Sequence, residues 1–179
     1  MSSVIISGDT SGTVTLSAPA VAGSTTLTLP AATGTVMVSG NMPAFSAYNA
    51  GSNQTISNTT QTKVVLPSET FDTNNCFDST TNYRFTPTVA GYYQFNAQAQ
   101  WTNTTGTGYA NLQFFKNGVE IARSGLAQYL YGMNGSCLVY MNGTTDYIEL
   151  YALQVTGGNF IINNASGNTI FSGSLIRAA

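Results

Sequence analysis

Seven carboxylates are the groups in this sequence best suited to chemistry: Asp9, Glu69, Asp72, Asp78, Glu120, Asp146 and Glu149. Two of them, Asp72 and Asp78, share the stretch FDTNNCFDSTTN (71–82). A carboxylate pair can serve as acid and base on a glycosidic bond. Oxygen-rich loops can also hold calcium, and Asn74 and Asn75 would add to such a set. The spacing matches no EF-hand loop, however, and no second motif supplies a substrate groove. The stretch reads as an acidic, Asn-rich surface loop. Asp72 and Asp78 stay as a candidate ligand surface, with calcium as a candidate ligand. The chain contains no histidine. That removes Ser-His-Asp and Cys-His nucleophiles, His-bound zinc and the commonest general base near neutral pH. No glycine-rich phosphate loop followed by Lys-Ser or Lys-Thr occurs. Cys76 and Cys137 form no CxxC pair and read as two small buried or half-buried thiols rather than a disulfide or metal site. No catalytic residue is assigned, and the chain reads as non-enzymatic. Tyr129 and Tyr131, with Met133, lie in GLAQYLYGMNGS (125–136). Tyrosines there suit a sugar or receptor platform, and equally a subunit contact, where Tyr and Met are enriched.

The elements that would carry these groups are strands. Only 7% of the 179 residues are charged, five basic against seven acidic. So thin a basic content argues against a nucleic-acid surface, which needs clustered Lys and Arg. No stretch approaches the roughly 20 apolar residues of a membrane span, and MSSVIISGDTSG reads as no secretory signal. Solubility rests on Asn, Thr, Ser, Gln and Gly, a neutral hydrogen-bonding surface that suits a particle coat or a secreted module better than a crowded cytosolic enzyme. Thr, Val, Tyr, Phe and Ile are frequent, and Gly and Asn punctuate every 8 to 12 residues or so, the rhythm of a sandwich or barrel. Three Asn-Gly pairs, 117–118, 134–135 and 142–143, are hairpin candidates, since Asn-Gly accepts the positive φ angles of a type I′ turn.

Residues 1–40 differ. GTVTL (12–16), TTLTL (25–29) and GTVMV (34–38) read as three short strands without a single aromatic residue among them. They cannot build a core alone. Such strands suit pairing with other copies or another protein. We expect an N-terminal β anchor over 1–40 and a globular head over 43–179. Val14, Leu16, Leu27, Leu29, Val36 and Val38 are the expected docking residues.

FTPTVAGYYQF (85–95) places Phe85, Gly91, Tyr93 and Phe95 at F-x5-G-x-Y-x-F spacing. With PAFSAY (43–48), LQFFKNG (112–118), TTDYIELYAL (144–153) and IFSGSLI (170–176), it resembles the complement C-one-q globular head, a relative of tumour necrosis factor. Phe77 sits one position out of that family's register, and Ala97 stands where an aromatic is usual. The resemblance implies an all-β, ten-stranded jelly-roll sandwich that forms homotrimers. Phe45, Tyr48, Tyr109, Leu112 and Phe114 are then the expected inter-subunit residues. GTVTLSAPAVAGSTTLTLPAATGTV resembles the short Thr-Leu-Thr-Leu-Pro units of bacteriophage tail fibres and other virion appendages. Together they imply a structural protein on a phage particle, partnered by the major capsid protein or a tail component. A single short unit before the head favours a capsid decoration or cement protein over a tail-fibre tip that recognises a host glycan or protein.

Overall fold

The computed structural model describes all residues except 1–2, 29–30, 32, 102–107, 126–131 and 166. It contains two compact units, Met1–Gly34 and Thr35–Ala179. The smaller unit is an antiparallel ribbon of β1 (Ser3–Ser7) and β2 (Thr13–Ser17), closed by a bond from the Gly8 N–H to the Gly12 carbonyl. GTVTL is thus a strand. TTLTL and GTVMV are not: residues 25–28 and 34–38 form no ladder. Alternating side chains dispose a segment to extend, but a strand exists only where another edge completes its backbone hydrogen bonds. The strand that pairs with GTVTL is SVIIS, which the sequence reading passed over. Residues 35–40 fall in the larger unit, where Met37 packs on the core and the Gly40 carbonyl accepts the Asn74 side-chain N–H at 3.0 Å.

That unit comprises β3 (Ala44–Tyr48), β4 (Gln54–Ile56), β5 (Thr62–Lys63), β6 (Ser68–Asp72), β7 (Phe77–Asp78), β8 (Arg84–Phe85), β9 (Gly91–Gln100), β10 (Tyr109–Lys116), β11 (Val119–Arg123), β12 (Gly132–Met141), β13 (Ile148–Val155), β14 (Phe160–Ile162) and β15 (Ile170–Ala178). One sheet runs β12-β9-β15-β3-β6. The other runs β11-β10-β13-β8-β7, with β5 also on β13; β14 pairs with β4. The chain changes sheet between β9 and β10 and again between β12 and β13, as a jelly roll does. Among the described residues the two large sheets hold eleven strands where ten were expected. The excess lies in the short pieces between residues 62 and 85, where two-residue strands punctuate loops.

Alternation decides the faces. In β9, Tyr93, Phe95, Ala97 and Ala99 point into the sandwich, while Tyr92, Gln94, Asn96, Gln98 and Gln100 point out. The inward residues of both sheets form one core. At its centre Phe45 stacks on Phe85 (4.5 Å between centroids) and Phe77 (4.9 Å) and meets the edge of Phe171 (5.1 Å). Phe85 in turn meets Tyr93 and Phe95 edge-on at 5.6 and 5.7 Å. Of the FTPTVAGYYQF rings, Phe85, Tyr93 and Phe95 are therefore core, while Tyr92 stays exposed on the other side of β9. Gly91 admits the neighbouring strand: a Cβ there would lie 2.6 Å from Leu175 Cδ1 and 3.0 Å from Ala178 Cα, and closer still to the Arg177 carbonyl.

Of the three Asn-Gly pairs, one makes a hairpin. Asn117 and Gly118 take φ of 52° and 79°, the type I′ signature, between β10 and β11. Asn134-Gly135 lies inside β12, where Gly135 lets the strand pass close to Phe114 and Ser124. Asn142-Gly143 turns the chain between sheets rather than within one. There the Asn142 Oδ1 accepts the N–H groups of Thr144, Thr145 and Asp146 at 2.9 Å each.

Candidate assembly surfaces

Three expected inter-subunit residues are interior. Phe45, Leu112 and Phe114 are fully buried within one sandwich. Alternation turns each inward, so none has area left for a neighbouring chain, and assigning them to a subunit contact was wrong. Tyr48 and Tyr109 remain half-exposed. Tyr48 lies on the outer face of the five-stranded sheet, opposite Ile170; Tyr109 opens β10 opposite Val155.

The outer face of the five-stranded sheet has a definite composition. Its rows, read across β12, β9 and β15, run Tyr140–Tyr92–Arg177, Leu138–Gln94–Ser174, Ser136–Asn96–Ser172 and Asn134–Gln98–Ile170. Tyr92 and Tyr140 meet edge to face at 5.6 Å while both stay substantially exposed, and Leu138 is 58% exposed. A depression of about 420 Å³ opens among Asn96, Gln98, Asn134, Ser136, Ile170 and Ser172, with no charged residue in its lining. A face of amides and hydroxyls edged by Tyr and Leu has the make-up of a protein interface, in which charge is scarce and aromatics are frequent. The sequence reading missed Tyr92, Leu138 and Tyr140. Their signal was there: they are the even-numbered partners of the buried odd positions in YYQF and CLVYM.

The opposite sheet and its loops pair most of their charges. Lys63 binds Glu149 at 2.5 Å, Lys116 binds Asp146 at 2.8 Å and Arg123 binds Glu120 at 2.6 Å. Arg84 lies over the Tyr147 ring at 4.3 Å. Asp146 sits below the usual carboxylate range; burial raises it, but hydrogen bonds from Lys116 and Asn117 outweigh that.

Asp72 and Asp78 hold their own loop. Asp72 accepts the Phe77 N–H at 2.7 Å and the Asn74 N–H at 3.4 Å. Asp78 accepts the N–H groups of Thr81, Thr80 and Asn82 and the Asn82 side-chain amide at 2.6 Å. The Thr81 N–H, then the Asn82 amide, hold the Asp78 carboxyl well below its ordinary range. Their lone pairs serve loop architecture, and no cluster of three His, Cys, Asp or Glu suited to a metal occurs among the described residues. Tyr129 and Tyr131 fall outside the described residues. Cys76 is buried, Cys137 is half-buried and both are free thiols; burial pushes Cys137 up to about 12. No described helix is long and apolar enough to cross a membrane.

In the arm, Val14 and Leu16 are more than half exposed, as are Val4, Ile5 and Ile6 of β1. Leu27 is 83% exposed in a segment with no strand partner; Leu29 falls outside the described residues. Val36 and Val38 are exposed in the larger unit.

No protein-family model matches this chain. No curated protein matches it either. Solved structures do. Murine APRIL superposes with a TM-score of 0.56 at 9% identity, over 75% of this chain and 99% of that one. The Eiger tumour necrosis factor from S. frugiperda superposes with a TM-score of 0.56 at 8% identity, over 78% and 95%. Vertex protein P5 of PRD1 gives a TM-score of 0.48 at 16% identity, over 77% and 98%. At these identities the likeness is one of fold: the chain carries an all-β jelly roll of the tumour necrosis factor type.

Proposed function

We propose that this chain is a non-enzymatic structural protein of a bacteriophage particle, a homotrimer seated on the capsid as a decoration or cement protein. The observation that carries the trimer is the outer face of β12, β9 and β15, with Tyr92, Leu138 and Tyr140 exposed on it and Arg177, beside Tyr92, at its charged edge. Tyr48 belongs to the same face. Closed threefold association covers such a surface without leaving an open end for further copies. The jelly-roll fold and the sequence resemblance to the complement C-one-q head support the same arrangement. The N-terminal arm supports attachment to the particle. Its ribbon and Leu27, with Val36 and Val38 at the start of the larger unit, put aliphatic side chains into water, where a free-standing protein gains nothing from them. Its likeness to virion-appendage units points to a phage partner, the major capsid protein in this reading.

Two experiments test the proposal. Leu138→Asp places a charge on an exposed position, so secondary structure by circular dichroism should be unchanged while the light-scattering mass drops from three chains to one. An unchanged mass removes this face from the interface. Particles lacking the protein should assemble but burst sooner under heat or osmotic shock. Equal robustness with lost adsorption to cells would transfer the role to a short tail-fibre or receptor-binding tip.

A further inference from the structure

The N-terminal ribbon sorts its side chains by face. β1 and β2 pair Val4 with Leu16 and Ile6 with Val14, and these four share one side. The other side carries Ser3, Ser7, Thr13, Thr15 and Ser17 around one aliphatic residue, Ile5. The four aliphatic residues are 54–61% exposed, so the ribbon itself buries little of them. A two-stranded ribbon with an uncovered apolar face is at best marginally stable in water.

We infer that this aliphatic face is covered by the same face of two further copies, giving a three-ribbon cluster. The inference rests on the trimer proposed above. Three observations select identical copies as the occupant. Neither strand holds a charged residue, so identical faces meet without like-charge repulsion. The face is uniform, four aliphatic residues with no polar atom that would require a complementary partner. Each ribbon is tethered to its head through residues 18–34, so three associated heads hold three ribbons at high local concentration. Three faces turned to one axis all close, whereas pairing would leave the third in water. Val14 and Leu16 then bind other ribbons. Docking to the particle passes to the hydroxyl face, Ile5 and the segment that carries Leu27, Val36 and Val38.

The test uses the full chain. Ile6→Cys and Val14→Cys report on the aliphatic face and Thr15→Cys on the hydroxyl face; the unaltered chain, with Cys76 and Cys137, gives the background. A short bis-maleimide linker is added, covalent dimers are read on a denaturing gel, and mass is read by light scattering. The expected result is a three-chain mass throughout, with dimer in Ile6→Cys and Val14→Cys about tenfold above Thr15→Cys and background. A three-chain mass without that linkage overturns the ribbon cluster and leaves the trimer standing. A single-chain mass without linkage overturns both. Equal linkage on the two faces overturns the assignment of the aliphatic face. In assembled particles, Ile6→Cys linking to a different virion protein instead of a second copy overturns it in favour of an anchor.

Discussion

Phe45→Ala separates an interior ring from an interface ring. Phe45 has no exposed surface and sits against Phe77, Phe85 and Phe171 at centroid distances of 4.5–5.1 Å. Truncating a buried Phe to Ala destabilises by about 3–5 kcal/mol, the sum of lost transfer energy and the cavity left behind. These three ring partners, with Phe95 a fourth at 6.3 Å, place this site in the upper half of that range, since each well-oriented aromatic pair adds about 0.5–1.5 kcal/mol beyond its buried area. Against the roughly 5–15 kcal/mol of a typical domain, the variant still folds but with much of its margin gone. In urea, with a slope of about 2 kcal/mol per molar, the midpoint should fall by roughly 2 M. The fraction that remains folded should keep the mass of the unaltered chain, because the ring touches nothing outside its own sandwich. A Phe45→Ala chain that unfolds at the original midpoint yet separates into single chains would refute this reasoning, and would return the ring to the subunit contact where the sequence first put it.

Gly91→Ala should lower stability by about 1–3 kcal/mol, because the added methyl meets β15 at the Arg177 carbonyl and Leu175. Gly125→Ala, where a Cβ meets nothing within 4 Å, should change it by less than about 0.5 kcal/mol; equal losses in urea melts would remove close strand approach as the role of Gly91. Acid should weaken the head through Asp78. Its folded-state carboxyl is depressed below the unfolded value, so its contribution is complete above about pH 4 and is lost as pH falls through the folded value. Asp78→Asn should therefore be the less stable protein at neutral pH and converge with the unaltered chain toward about pH 2; parallel curves across that range would show that the loop does not depend on the charge.

The strands of the head were legible because a half-buried strand writes its burial into alternate positions. YYQFNAQAQ shows which residues enter the core before any fold is known. Asn117-Gly118 was legible for a similar reason, since few dipeptides accept two positive φ angles in succession. The same chemistry misled at Asn134-Gly135 and Asn142-Gly143. A dipeptide permits a turn but does not require one, and pairing with β9 keeps the first of these extended. TTLTL and GTVMV failed likewise, having strand character without a partner edge. The assembly surfaces were harder still. Phe45, Leu112 and Phe114 carry the right side chains for an interface, and their sequence cannot say that two sheets close over them. Leu138 and Tyr140 are equally apolar and lie outside.

Periodicity, turn chemistry and the absence of histidine are local properties, and from them the sequence alone determined an all-β chain, the alternate inward positions of β9 and the lack of a histidine-based site. Which apolar residues are consumed inside and which remain for another chain depends on how strands far apart in sequence pair and face each other. Only the tertiary structure decided that, by sealing Phe45 between two sheets and leaving Tyr92, Leu138 and the Val4–Leu16 face of the ribbon in water.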